Sequence, residues 1–63
     1  MKNKLKEIRI KKGISQKELS EKTGISLKAI SSYEQGSRDL IKASFENIVK
    51  IVKALDCKVF DLF

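Results

Sequence analysis

Histidine and proline are missing from this chain of 63 residues, and cysteine occurs once, as Cys57. A single thiol cannot close a disulfide, and without histidine or a second cysteine no zinc site can be assembled. No nucleophile has a base beside it and no glycine-rich phosphate loop occurs, so the chain lacks the parts of an active centre. No enzyme activity, cofactor, metal or small-molecule ligand is expected. No apolar run approaches the ~18 residues of a membrane span, and no signal-peptide core follows the basic start. The expected setting is the cytoplasm, which a lone cysteine fits.

With no covalent or metal staple, stability must come from packing, aided by self-association. A chain this short makes one domain, residues 1–63, and buries only ~60% of the surface its unfolded form exposes. Its charge is uneven. Fourteen Lys and Arg face eight Asp and Glu, a net charge of +6. Residues 1–42 carry eleven bases against five acids, and residues 43–63 carry three of each. All the excess therefore lies in the first two-thirds. It favours a polyanionic partner through counterion release, although charge alone fits a lysine-rich solvated surface equally well.

β-branched alternation is scarce and helical periods recur. Gly13, Gly24 and Gly36 act as stops. A first helix is predicted from Lys4 to Lys12, with Leu5 and Ile8 on one face. A second follows Ser15, whose spacing to Glu18 makes a capping box, and ends before Gly24. Ser26 caps a third, Leu27 to Gln35. A loop from Ser37 to about Ala43 leads to Ser44, the cap of a fourth helix. There Phe45, Ile48, Val49, Val52 and Leu55 form the strongest apolar stripe in the chain. A last short turn covers Val59 to Phe63. The expected fold class is all-α, a compact domain of about five short helices.

The informative stretch is Gln16 to Gln35. Two short helices meet at Thr23-Gly24-Ile25, a three-residue turn centred on glycine, the geometry of a DNA-binding helix-turn-helix. Ser20 is small where the helices approach, Gly24 has no Cβ to clash in the turn, and Ile25, Ile30 and Tyr33 point inward. These residues, with Leu5 to Arg9, Gly13-Ile14-Ser15-Gln16-Lys17-Glu18-Leu19-Ser20, Ser26, Ser31-Ser32, Glu34-Gln35-Gly36 and Val52-Lys53-Ala54-Leu55, resemble the phage-repressor and Cro type of helix-turn-helix family (xenobiotic-response-element-type regulators). The resemblance covers nearly the whole chain. It implies a five-helix, lambda-repressor-like domain whose third helix lies in the major groove of DNA. Three departures stand out: Ser20 for the usual alanine, Asp56 for the usual glycine after the fourth helix, and a longer third-to-fourth loop with Ala43 in place of proline.

Leu27, Lys28, Ser31 and Ser32 form an outward stripe at the N-terminal end of the third helix, the end that meets base edges. Lysine donates to guanine, serine pairs with either base, and leucine packs on a thymine methyl. An ordinary solvated helix face is the alternative for this stripe. Gln16, which in the resembling family anchors the DNA backbone, leads the expected phosphate contacts, with Lys17, Ser26, Gln35 and Arg38. The resemblance further implies that Arg9 and Glu34 pair across the domain. Cys57 reads as a small core residue. Phe60, Leu62 and Phe63 exceed what one short terminal helix buries, and are candidates for a two-fold contact against the alternative of a frayed monomer.

Together these features predict a sequence-specific regulator, a repressor, binding palindromic operator DNA as a homodimer. Two other readings compete. One is a protein-interaction module, an antitoxin or regulatory subunit on the same fold, whose largest apolar patch would lie away from the third helix. The other is a non-specific nucleic-acid binder, which would carry surface aromatics for stacking.

Overall fold

Three of the four α-helices among the described residues begin at a serine, and each α-helix buries one face. The computed structural model describes residues 3–63. Helix α1 spans Leu5–Lys11, α2 Gln16–Thr23, α3 Leu27–Gln35 and α4 Phe45–Leu55. One 3-10 turn, Leu40–Lys42, precedes α4 and a second, Val59–Leu62, follows it. Among the described residues there is no strand.

Ser15, Ser26 and Ser44 hold extended backbone ahead of α2, α3 and α4. Each hydroxyl accepts a first-turn amide, from Glu18 at 3.0 Å, Ala29 at 3.1 Å and Asn47 at 3.1 Å, satisfying a donor the helix cannot. The capping box at α2 is complete, the Ser15 amide donating to Glu18 Oε1 at 3.3 Å. Before α1, Asn3 serves the same purpose: its Oδ1 accepts the Leu5 amide at 2.9 Å.

Leu5, Leu19, Ile30, Leu40, Ile51, Leu55 and Leu62 are fully buried, so every helix and both 3-10 turns contribute to one core. Each such side chain contributes roughly 1.5–3 kcal/mol relative to exposure. Helix α2 packs on α3 and α4, and α1 packs on α3 and the final turn. The Lys4 amide donates to the Leu62 carbonyl at 2.7 Å and ties the final turn to the start of α1.

Two expectations are corrected here. The last of the five expected helical pieces, the short turn from Val59, is a 3-10 turn over Val59–Leu62, which leaves four α-helices among the described residues. Within the turn the bonds close over three residues, as from Asp61 N to Lys58 O at 2.9 Å, the 3-10 pattern rather than the α-helical one. The buried stripe of α4 is also rotated from the predicted one. Ile48, Ile51 and Leu55, at i, i+3 and i+7, face the core, whereas Phe45 is 81% exposed. Ile51, passed over in the sequence, lies at the centre of that face.

Candidate nucleic-acid interface

The turn between α2 and α3 is closed by side-chain hydroxyls. Gly24 adopts φ +75°, and its amide donates to the Ser20 carbonyl at 2.8 Å. An added Cβ there would meet nothing within 4 Å. The expected steric reason for glycine is therefore wrong; the left-handed backbone demands it. Ser20 Oγ donates to the Ile25 carbonyl at 2.7 Å. Buried Thr23 donates its hydroxyl to the Leu19 carbonyl at 2.7 Å and accepts the Ile25 amide at 3.1 Å. With these groups satisfied, the turn can pack tightly without stranding buried polar atoms. Ile25 plugs the corner beneath it, 7% exposed.

Ile30 and Tyr33 fix the inward face of α3. Leu27 and Lys28 are exposed on its first turn, and Ser31 and Ser32 are half-buried beside them. Ser31 Oγ accepts Gln35 Nε2 at 3.2 Å, which leaves its hydroxyl proton free to donate outward. The Ser32 carbonyl accepts the amides of Gly36 and Arg38 at 3.1 and 3.2 Å and the Ser37 hydroxyl at 3.3 Å. These bonds fasten the loop after α3 to the helix. Arg38 is exposed, its guanidinium 5.7 Å from the Tyr33 ring centroid, a cation–π distance. Lys17 and Ser26 are exposed at the starts of α2 and α3, and Gln16 is half-buried.

Arg9 and Glu34 meet in a bidentate pair. Arg9 Nε donates to Glu34 Oε2 at 2.6 Å and Nη2 to Oε1 at 3.1 Å, while Nη1 donates to the Ile14 carbonyl at 2.8 Å. The side chains are 10% and 2% exposed. Arg9 is held charged more firmly than usual: its hydrogen bond to Glu34 raises the pKa, burial opposes this, and the Glu34 charge adds to the rise. Gln16 is a third member that sequence reasoning missed, its Nε2 donating to Glu34 Oε1 at 3.0 Å.

The helix-turn-helix family model matches residues 5–62. The chain belongs to the Cro/C1-type helix-turn-helix family. The crystal structure of the restriction-modification controller protein C.AhdI from Aeromonas hydrophila is similar, with a TM-score of 0.83 and 35% identity. That match covers 95% of this chain and 86% of the other. No curated protein matches significantly. Family and neighbour are DNA-binding regulators, not enzymes, and this chain is accordingly a DNA-binding transcriptional regulator. Among the described residues no helix is long and apolar enough to cross a membrane.

In this Cro/C1-type chain the C-terminal candidates separate. Leu62 is fully buried in the chain's own core, which removes it as a two-fold contact; Phe60 is 89% and Phe63 44% exposed. Phe63 lines a groove with Ile41, Ala43, Phe45, Ile48 and Val59. Ile41 and Phe45 escaped sequence reasoning, one hidden in a presumed loop and the other assigned to the core. Cys57 packs half-buried at the edge of the core.

Proposed function

We propose that this chain is a repressor that binds palindromic operator DNA in the cytoplasm as a homodimer, with α3 in the major groove. The observation that carries the reading is the exposed N-terminal end of α3, where Leu27 and Lys28 stand clear beside Ser31 and Ser32. These four side chains read bases. Gln16, Lys17, Ser26, Gln35 and Arg38 surround the helix as phosphate contacts that set register and affinity. The likeness to a restriction-modification controller supports regulation of a specific site over non-specific coating of nucleic acid.

Size supports two subunits. The longest extent of the Cα trace is 24 Å, whereas half-sites one helical turn apart are separated by ~34 Å. One chain cannot place recognition helices in both. The groove residues Ile41, Phe45, Val59 and Phe63, all exposed, together with exposed Phe60 next to Val59 in the chain, supply an apolar surface for a second copy. None of these residues belongs to α3, so the same face also favours a second reading, a partner-binding module. Sedimentation of the free protein separates the two, a self-associated dimer supporting the first.

Random-site selection tests the recognition surface. The parent is expected to enrich a two-fold symmetric sequence, and Lys28→Ala to change the bases tolerated at one position in each half-site. If Leu27, Lys28, Ser31 and Ser32 can be replaced together without altering the selected sequence, the assignment is wrong. Arg38→Ala should weaken all sequences alike and reduce the salt slope by about one unit.

A further inference from the structure

We infer that Glu34 is a positioning residue for DNA-backbone contact: its carboxylate holds the Gln16 side chain in place at the start of α2, so the pair that clamps α1 to α3 also presets a phosphate contact. The inference rests on the reading of Gln16 as such a contact.

The Glu34 carboxylate is fully engaged. Oε2 accepts Arg9 Nε at 2.6 Å, and Oε1 accepts both Arg9 Nη2 at 3.1 Å and Gln16 Nε2 at 3.0 Å. Because the Glu34 side chain is only 2% exposed, Gln16 is tied to a fixed acceptor and not to a mobile surface carboxylate. The third Arg9 nitrogen donates to the carbonyl of Ile14 at 2.8 Å, one residue before the cap of α2. The same guanidinium thus restrains the backbone entering α2 and, through Glu34, the first side chain of that helix.

Charge explains why a carboxylate can serve beneath a phosphate contact. Unpaired, Glu34 would repel the DNA backbone. Paired in two bonds with Arg9, it forms a neutral unit that still accepts a hydrogen bond. One Nε2 proton of Gln16 is used by Glu34, leaving the second proton to donate. Gln16 and Glu34 line an open recess with Lys6 and Gln35, to which a cation and further amide donors are available. A glutamine held in one orientation gives up less rotamer freedom when it binds, and affinity rises by pre-organisation.

The test replaces the buried pair by apolar residues, Arg9→Met with Glu34→Leu, an exchange that commonly preserves folding. It leaves net charge unchanged, so counterion release is unaffected. Binding is measured at low salt to a short duplex of mixed sequence, with folding followed by circular dichroism. The paired variant is expected to stay folded and to lose about 3–10-fold in affinity, as for one hydrogen bond, with an unchanged salt slope. Gln16→Ala alone should cost a similar factor, and adding it to the paired variant should cost nothing more. The inference is overturned if the paired variant binds as the parent does, or if Gln16→Ala costs the same factor in both backgrounds. Should the paired variant unfold, the parent decides by nuclear magnetic resonance. One Gln16 Nε2 proton should exchange slowly and resonate apart from exposed glutamines, and behaviour like theirs overturns the tether. A parent that binds no duplex refutes the regulator reading instead, a result distinct from either failure.

Discussion

At Gly24 and Asp56 the same left-handed backbone ends a helix, but the two residues meet it on unequal terms. Gly24 has φ +75° and Asp56 φ +51°. A Cβ in this region crowds the following carbonyl, a penalty of roughly 1–2 kcal/mol that aspartate partly evades. Asp56 also sets a carboxylate at the negative end of the α4 dipole. Asp56→Gly is therefore expected to raise stability by about 0.5–1 kcal/mol, or roughly 2–8 °C in melting midpoint. Gly24→Ala should lower it by about 1–2 kcal/mol, all from backbone strain, since the methyl would meet nothing within 4 Å. Thermal melts followed by circular dichroism check both, and an Asp56→Gly midpoint below the parent's would contradict the argument.

Cys57 gives a second prediction at this scale. Burial raises its thiol pKa, Asp61 adds to the rise, Lys12 opposes it and Asp56 adds slightly. The native chain thus keeps the thiol proton to higher pH than the unfolded chain does. The neutral thiol's contribution to stability is complete below the unfolded thiol's pKa and is lost as pH climbs through the native value. Since only thiolate reacts, iodoacetamide should alkylate Cys57 more slowly in the native protein than in urea at the same mildly alkaline pH. Equal rates would show that the thiol is not protected. Residue-level punctuation was highly legible in the sequence: Ser15, Ser26 and Ser44 cap where their spacing to helical runs says they should, because a cap is local chemistry. Thr23 was not legible: its bonds to the Leu19 carbonyl and the Ile25 amide are local, but a threonine in the last turn of a helix is as readily solvated, and only the fold buries it.

Among the elements, the α1–α3 clamp is where one substitution should cost most. Arg9 is 10% and Glu34 2% exposed at the side chain, so removing the carboxylate leaves a buried guanidinium without its counter-charge. Glu34→Gln should lower unfolding free energy by roughly 3 kcal/mol or more. A 63-residue domain has only about 3–9 kcal/mol in total. A large fall in urea midpoint is expected, and a variant that melts like the parent would remove the pair from the account of stability. This clamp was readable from family resemblance, whereas the third partner, Gln16, lies eighteen residues from Glu34 and meets it only in the folded chain. Helix α4 was harder to read. Its many apolar residues offer more than one stripe, and only packing against α2 selects Ile48, Ile51 and Leu55 and turns Phe45 outward. Intrinsic period located the helix but left its rotation open.

For the whole molecule, the decisive quantity is apolar surface left unpaired by the fold. Phe45 and Phe60 are 81% and 89% exposed, so charging them removes no intrachain packing of consequence. Phe45→Asp with Phe60→Asp should retain the parent's helical circular dichroism and melting midpoint at dilution, while sedimenting as a monomer where the parent self-associates. Its binding to a duplex bearing one half-site should fall only modestly, through the added negative charge. Binding to a duplex bearing two half-sites should fall far more, because a 24 Å body reaches only one of two sites ~34 Å apart and the benefit of linked engagement is lost. The contrast between the two duplexes is what matters. An equal loss on both would mean that this face does not join the subunits, and that the second half-site is reached through another surface.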